Sequence, residues 1–410
     1  MVINSNMFLE RLLFHKPQIS LARPTAGRMW LVSLCAFIAV IQSSLSDSFF
    51  SLIIALSAVA AAVLTEFLIS YKNGKTKNLL DGSVVASALI LTLLLPNRIS
   101  PVYAAAGAVF AIAVIKHSFG GLGSNWLNPA AGGWLFIRFS WPASFSRALE
   151  GSPLSLLSES VSRGVSNPEG SPLGILKIDA ASIFAAATPL DGTLRSFFNN
   201  TIFSFTGAEL PGGYMDLLAS RLPGIIADRG VLALLVGTIV ITASQVNRSW
   251  IPVVYLLLFS VFVRFAGALP YGGILWNGDI FFALCSGGTL VAAFFLAAEP
   301  VTGAKSNEGI LFGVITGATL AFLFRYFSGE AYGAVFAALF INAALPMVRF
   351  IESRTLYNKG KKLALAGPPP TEPGTRISGA NRTEEPRPRT EGLGAEGLRT
   401  EGLRSEGRYP

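Results

Sequence analysis

Residues 101–146 run PVYAAAGAVFAIAVIK, then HSFGGLGSNWLN, then PAAGGWLFIRFSWPASFS. Two apolar stretches, 101–116 and 129–146, flank a polar, glycine-rich block. The yardstick for a helix crossing a bilayer is about 20 predominantly apolar residues, so each stretch reads as a membrane span. Short spans interrupted by Gly and Pro tend to lie where helices break at membrane depth around a site.

The same texture recurs on both sides. Further apolar segments lie near 29–46, 48–70, 79–95, 229–246, 250–267, 279–297, 309–327 and 332–351. The chain of 410 residues is 51% hydrophobic and 14% charged, with a mean hydropathy of +0.54. Soluble domains carry about 25% charged residues. The expected fold is therefore an all-α integral membrane protein of about ten transmembrane helices. Cys35 and Cys285 both sit in apolar runs, which excludes a disulfide framework and a thiolate zinc or iron–sulfur site. Two histidines, His15 and His117, exclude a His-rich centre, and no metal site is expected. The net charge of +8 does not point to nucleic acid, because most basic residues flank apolar segments or lie in the tail. No cleavable signal peptide is expected, since residues 1–28 are polar and basic and the first apolar run continues into a second.

Ten spans put both termini on one side. The short loops there hold Arg23, Arg28, Lys72, Lys75, Lys77, Lys116, Arg248, Lys305, Lys359, Lys361 and Lys362, against little beyond Arg98 on the other side. The positive-inside bias makes both termini cytoplasmic in a bacterial inner membrane. The expected divisions are a cytoplasmic segment 1–28, a five-helix repeat 29–146, an external loop 147–228, a second five-helix repeat 229–352 and a tail 353–410. Asp81-Gly82-Ser83 opens the third span and Ser286-Gly287-Gly288 lies near the start of the eighth. Five spans per half make the halves inverted copies. In the tail, Glu391, Glu396, Glu401 and Glu406 each precede a Gly in a five-residue period with almost no apolar content. Such a segment cannot bury a core and is expected to be disordered.

Three polar clusters gather at the cytoplasmic ends of the spans: Asp81-Gly82-Ser83, the block Phe119 to Ala130, and Ala298-Glu299-Pro300-Val301-Thr302-Gly303. Each has a plain structural reading, as a helix cap or a helix start. Each also suits a ligand. Gly120, Gly121 and Gly123 let backbone approach a flat molecule closely. Asn125 and Asn128 present two amides that donate and accept, matching the uracil-like edge of an isoalloxazine or a quinone carbonyl. Trp126 supplies an aromatic wall, and a carboxylate such as Glu299 beside a membrane-embedded proline is expensive unless it binds something.

On these residues the chain resembles the family formed by the Rnf-complex D subunits and the Nqr-complex B subunits. The resemblance rests on Lys116 to Asn125 with Asn128-Pro129-Ala130, on Asp81-Gly82-Ser83, on Glu299-Pro300-Val301-Thr302, on the Gly-rich ninth span ending in Arg325, and on Lys16-Pro17 to Met29. It covers residues 15–350 and is closest to the Rnf branch. It implies the membrane core of an ion-pumping redox complex that passes electrons through flavins between ferredoxin or NADH and NAD or quinone. Other membrane and peripheral subunits would be the partners. A non-covalent riboflavin- or FMN-type flavin is implied, at Asp81, Gly121, Gly123, Asn125, Trp126, Asn128, Glu299 and Thr302.

Two departures stand out. Glu299 replaces the family's usual Asp. The Thr that carries a phosphoester-linked FMN in the family aligns with Arg229, in Gly224-Ile225-Ile226-Ala227-Asp228-Arg229-Gly230. Arginine cannot form a phosphoester, so covalent FMN is expected to be absent. Thr316-Gly317-Ala318-Thr319 looks like a flavinylation motif but lacks its acidic residue, because position 313 is Gly, and it lies mid-span.

Among other polar residues inside spans, Glu66 reads either as an ion ligand or as a partner of a loop lysine. Arg138 and Arg325 read as interfacial or paired, and His117 as structural. With no nucleotide-binding unit and no Cys cluster, the chain is expected to be one subunit of a translocase, not catalytic alone. The competing readings are a small-solute channel or carrier and a redox-inactive paralogue on the same scaffold.

Overall fold

The computed structural model describes residues 25–366 except 46–48, 73–79, 119–124, 126, 166–171, 180–188, 202–203, 205–211, 214, 221, 247, 300–302 and 329. By its contacts the chain divides into two units, Met1–Asn358 and Lys359–Pro410. The Glu-Gly repeats of the tail belong to the second and lie outside the described residues.

The described residues are helical apart from loops and one isolated antiparallel bridge between Pro96 and Ile225. Helices α1 (Thr25–Leu45), α2 (Phe50–Lys72), α3 (Ser83–Leu94) and α4 (Pro101–Phe110) come first, the last running on as a π-helix over Ala111–His117. Next are α5 (Pro129–Ser140), α6 (Pro142–Ala148), α7 (Pro153–Ser162), α8 (Pro172–Asp179) and α9 (Pro189–Thr201). Then come the one-turn α10 (Ile226–Arg229), α11 (Val231–Ala243), α12 (Trp250–Ala266) and α13 (Ile280–Cys285). The short α14 (Thr289–Val291) continues as a π-helix over Ala292–Ala297, followed by α15 (Asn307–Tyr326) and α16 (Gly333–Ala366).

Four helical stretches are long and apolar enough to cross a membrane: Ala26–Leu45, Phe50–Lys72, Asn307–Tyr326 and Gly333–Thr355. Shorter apolar helices cover Ser83–Leu94, Pro101–His117, Val231–Ala243 and Trp250–Ala266. The side chains sort as a lipid solvent demands. On α1 and α2 many of the buried residues are small, including Ala36, Ala39, Ala55, Ala58 and Ala62, whereas Leu34, Leu45, Ile53, Leu56 and Leu64 are exposed. Lipid tails are as apolar as leucine, so helices associate through close packing of small residues and leave large ones facing outward. Between α4 and α5 the approach is close: a Cβ on Gly133 would lie 2.7 Å from the carbonyl oxygen of Gly107.

Two of the apolar segments are not single helices. The stretch 129–146 breaks at Trp141 (φ −132°, ψ 58°), because Pro142 disfavours helical backbone in the residue before it. The stretch 279–297 breaks at Ser286, which is extended, and at Gly287 and Gly288, with φ of +69° and +67°. Left-handed backbone is accessible to glycine without steric cost, and this sequence supplies two in a row.

Loop backbone ties early and late segments together. Ile226 N donates to Leu95 O (2.9 Å) and Asn97 N to Gly224 O (2.9 Å), and Gly224 N donates back to Asn97 Oδ1 (3.1 Å). These bonds hold α3 against α10 and give otherwise unpaired backbone groups a partner in a low-dielectric setting.

Candidate functional site: polar clusters at the helix breaks

The first cluster forms where α2, α3 and the π-helix after α4 meet. Glu66 and Lys116 are buried, and Lys116 Nζ lies 3.2 Å from Glu66 Oε2. His117 Nε2 lies 2.6 Å from the same oxygen. Adjacent side chains on an α-helix diverge by about 100°. The π-helical turn, a local widening common at functional sites, lets two consecutive residues reach one carboxylate. Lys116 Nζ also donates to Ser83 Oγ (3.0 Å), and Ser83 donates both its hydroxyl (2.7 Å) and its backbone N–H (2.8 Å) to Asp81 Oδ1. A polar chain thus runs from His117 through Glu66, Lys116 and Ser83 to Asp81. Buried charges persist only when paired and hydrogen-bonded, and these are. Of the two sequence readings of Glu66, the partner it acquires is Lys116 at a helix end. His117 joins the same cluster.

The second cluster brings two separate blocks into contact. Asn128 caps α5: its Oδ1 accepts from Ala131 N (3.1 Å), with Pro129 at the first helical position. Its Nδ2 donates to Glu299 Oε2 at 2.6 Å. Both ends of the Asn128 amide are therefore engaged. Asn125 is buried three residues earlier, and Glu299 is half-buried after the π-helix Ala292–Ala297. Gly121, Gly123, Trp126 and Thr302 lie outside the described residues. Asp81 belongs to the first cluster, with Ser83 and Lys116.

A third cluster does not stand out in the sequence. Asp228 accepts from Gly287 N (2.9 Å) and Gly288 N (3.0 Å), the two left-handed glycines at the break between α13 and α14. Arg325, buried on α15, donates to the carbonyls of Ala283 (2.8 Å) and Ser286 (2.9 Å), to Thr289 Oγ1 (3.1 Å) and to Ser286 Oγ (2.7 Å). The carbonyls that end α13 have no partner within the helix, and a cation there satisfies both them and the helix dipole. Arg325 is paired, as its position in a span requires. Arg138 lies 5.4 Å over the Phe145 ring and 3.9 Å from Glu330. The sequence signals for the third cluster are Ser286-Gly287-Gly288 and the Asp before Arg229. Their meeting depends on folding across about 60 residues and cannot be read from either alone.

Arg229 is fully buried, with Nη1 donating to Leu222 O. Of the hydroxyls nearest in sequence, Ser220 is buried and Thr238 is buried in α11 with its hydroxyl on Leu235 O (2.8 Å). Thr206 lies outside the described residues.

Beyond Glu299, enclosed by α12, the π-helix after α14, α15 and α16, is a cavity of about 300 Å³. Glu299, Arg248 and Lys305 lie among its lining residues, as do Tyr255 and Asn342.

The blocks joined by Asn128 and Glu299 are those on which the family resemblance rests, and a profile of the NQR2, RnfD, RnfE family matches residues 13–358. The chain belongs to that family. Among its relatives is the D subunit of the ion-translocating oxidoreductase complex of Shewanella denitrificans, 30% identical over 354 residues, covering 83% of this chain and 96% of the relative. The D subunit of the proton-translocating ferredoxin:NAD(+) oxidoreductase complex of Clostridium ljungdahlii is 26% identical, covering 84% and 95%. The D subunit of the Na(+)-translocating ferredoxin:NAD(+) oxidoreductase complex of Acetobacterium woodii is also 26% identical, covering 84% and 94%. With its apolar helices, this member of the family is a multi-pass membrane protein.

Proposed function

We propose that the chain is the RnfD-type membrane component of an ion-translocating ferredoxin:NAD oxidoreductase complex in a bacterial inner membrane, acting with other membrane and peripheral subunits. The observation that carries this is the Asn128–Glu299 hydrogen bond, which joins one residue from each of two sequence blocks in a chain matched by the family over 13–358. A non-covalent flavin lies against this junction. The donor set suits it: two buried amides and a carboxylate complement a heterocycle edge that both donates and accepts hydrogen bonds. A bound flavin supplies electron transfer in one- or two-electron steps. The chain's own groups hold the edge of the ring and exclude water. Phosphoester-linked FMN does not fit, because position 229 is a buried arginine and the hydroxyls at 220 and 238 are buried.

The architecture belongs to the same proposal: ten spans, two inverted five-helix halves and both termini cytoplasmic. Corresponding contacts support the repeat. Lys116, near the end of one span, donates to Ser83, and Gly82 before that serine has φ +73°. Arg325 donates to Ser286, beside Gly287 and Gly288 with positive φ. Buried Glu66 and Lys116 and half-buried His117 form a titratable chain at one end of the first half, the natural place for a cation or proton to enter. The test is flavin content. The purified wild-type chain carries a dissociable flavin, and replacing Asn125 and Asn128 together by Leu removes it while the chain stays folded in the membrane. Undiminished flavin in the double variant would refute the site.

A further inference from the structure

Trp30, on the second turn of α1, holds the segment that opens α3. Its indole Nε1 donates to Leu80 O (3.2 Å), 50 residues along the chain. Gly82, two residues later, sits beneath the same ring: a Cβ there would lie 3.1 Å from Trp30 Cδ1, Nε1 and Cε2 alike. Equal distances to three consecutive ring atoms put that position over the face of the indole, not at its edge. Gly82 also has φ +73°. The turn therefore demands glycine twice, for left-handed backbone and for the space under the ring. Asp81 is bracketed, with one neighbour bonded to Trp30 and the other packed against it.

What Asp81 does follows from counting donors. Lys116 Nζ has hydrogens to give and no lone pair, so Ser83 Oγ is the acceptor in their 3.0 Å contact. The single hydroxyl hydrogen of Ser83 goes to Asp81 Oδ1 (2.7 Å), which also accepts the Ser83 N–H (2.8 Å). The carboxylate thus fixes the orientation in which Ser83 turns a lone pair toward Lys116. Lys116 also donates to Glu66 Oε2 (3.2 Å), the oxygen that His117 contacts. Ser83 and Lys116 are both buried, so neither finds a substitute partner in bulk water.

We infer that Trp30 is a positioning residue for ion entry: by holding Asp81 it keeps the Ser83 lone pair on Lys116, and so draws Lys116 off Glu66. The inference rests on the reading of Glu66, Lys116 and His117 as the place where a cation or proton enters. With Asp81 released, the Ser83 hydroxyl turns away, Lys116 settles on Glu66, and the carboxylate that receives the ion is occupied.

The test uses inverted membrane vesicles from the native host, in which ferredoxin-dependent NAD reduction drives ion uptake. Uptake is read with radioactive sodium and, in parallel, as lumenal acidification with a pH-sensitive dye. Trp30→Leu is expected to slow uptake several-fold. Trp30→Phe slows it less, because a ring stays over Gly82, and Gly82→Ala acts like Trp30→Leu, because a Cβ pushes the ring away. Flavin content and the amount of chain in the membrane stay at the wild-type level in Trp30→Leu, while peptides spanning 80–86 exchange their amide hydrogens faster. Asp81→Ala slows uptake by itself, and Trp30→Leu adds no further loss to it, since Trp30 acts through Asp81; a tryptophan with a merely structural role would add its own. The inference is overturned if Asp81→Ala slows uptake and Trp30→Leu does not, if the two losses add, if exchange over 80–86 is unchanged, or if Trp30→Leu loses flavin. Should Asp81→Ala and Glu66→Gln both leave uptake intact, ion entry at this cluster is itself refuted, and the inference falls with it.

Discussion

Asn128 Nδ2 donates to Glu299 Oε2 at 2.6 Å, joining residues 171 positions apart in the chain. The contact explains why a carboxylate is tolerated beside Pro300: it accepts a hydrogen bond from the residue that caps α5. Asn128 therefore has a positioning role, since its Oδ1 is held by Ala131 N. Glu299→Ala leaves the Asn128 amide without this acceptor. A loss of about 1–3 kcal/mol is expected, read as a lower melting temperature in detergent, with Glu299→Gln closer to wild type. Equal stability of Glu299→Ala and wild type would show that the bond contributes nothing.

Arg325 is expected to be the most sensitive of the buried cations. It donates to two carbonyls and two hydroxyls around the end of α13. Arg325→Met removes these donors at once, and several hydrogen bonds to a charged group contribute about 1.5–3 kcal/mol each before relaxation. A drop in folded yield is expected, with protease sensitivity appearing first around Ser286. Arg325→Lys restores little, because an ammonium cannot fork between the carbonyls and Ser286 Oγ.

Glu66 and Lys116 are expected to couple. Each alone leaves the other charge buried, as in Glu66→Gln or Lys116→Met. The double variant removes both, so its destabilisation falls short of the sum by more than about 1 kcal/mol. Additive effects in thermal unfolding would indicate that the pair is not formed. His117→Phe, which removes the 2.6 Å contact to Glu66, is expected to slow ion uptake by reconstituted vesicles while leaving the fold intact.

No covalently held flavin is expected. Denatured chain from its native host gives no fluorescent band, and its peptides carry no FMN mass. Nor can the block be converted wholesale into an acceptor: Gly230→Ser would place a Cβ 2.6 Å from Ala39 O, and Asp228 is needed by Gly287 and Gly288. Arg229→Thr alone is the feasible test, and it too is expected to stay unlabelled because the position is buried. A fluorescent wild-type band would show that another hydroxyl carries the group.

The membrane character and most helix positions are legible in the sequence because they follow from local composition. Span-length apolar runs such as 50–72 have few alternatives in lipid. The Asn128–Glu299 junction is partly legible, since both blocks stand out as polar islands although their contact does not. The Asp228–Gly287–Gly288 clasp is not, because it depends on long-range packing. The split of 129–146 is within reach of the sequence, because Trp141-Pro142 carries a helix-breaking signal in plain view.

A chain that works as a membrane subunit of an ion-translocating ferredoxin:NAD oxidoreductase complex must be required for both halves of the coupled reaction. The most direct test is ferredoxin-dependent NAD reduction by inverted membrane vesicles from the native host, followed together with ion uptake into the vesicle lumen. Deleting the gene should abolish both, the wild-type chain should restore both, and the Asn125→Leu/Asn128→Leu chain should restore neither although it reaches the membrane. Vesicles that lack the chain yet couple NAD reduction to ion uptake at the wild-type rate would contradict that role.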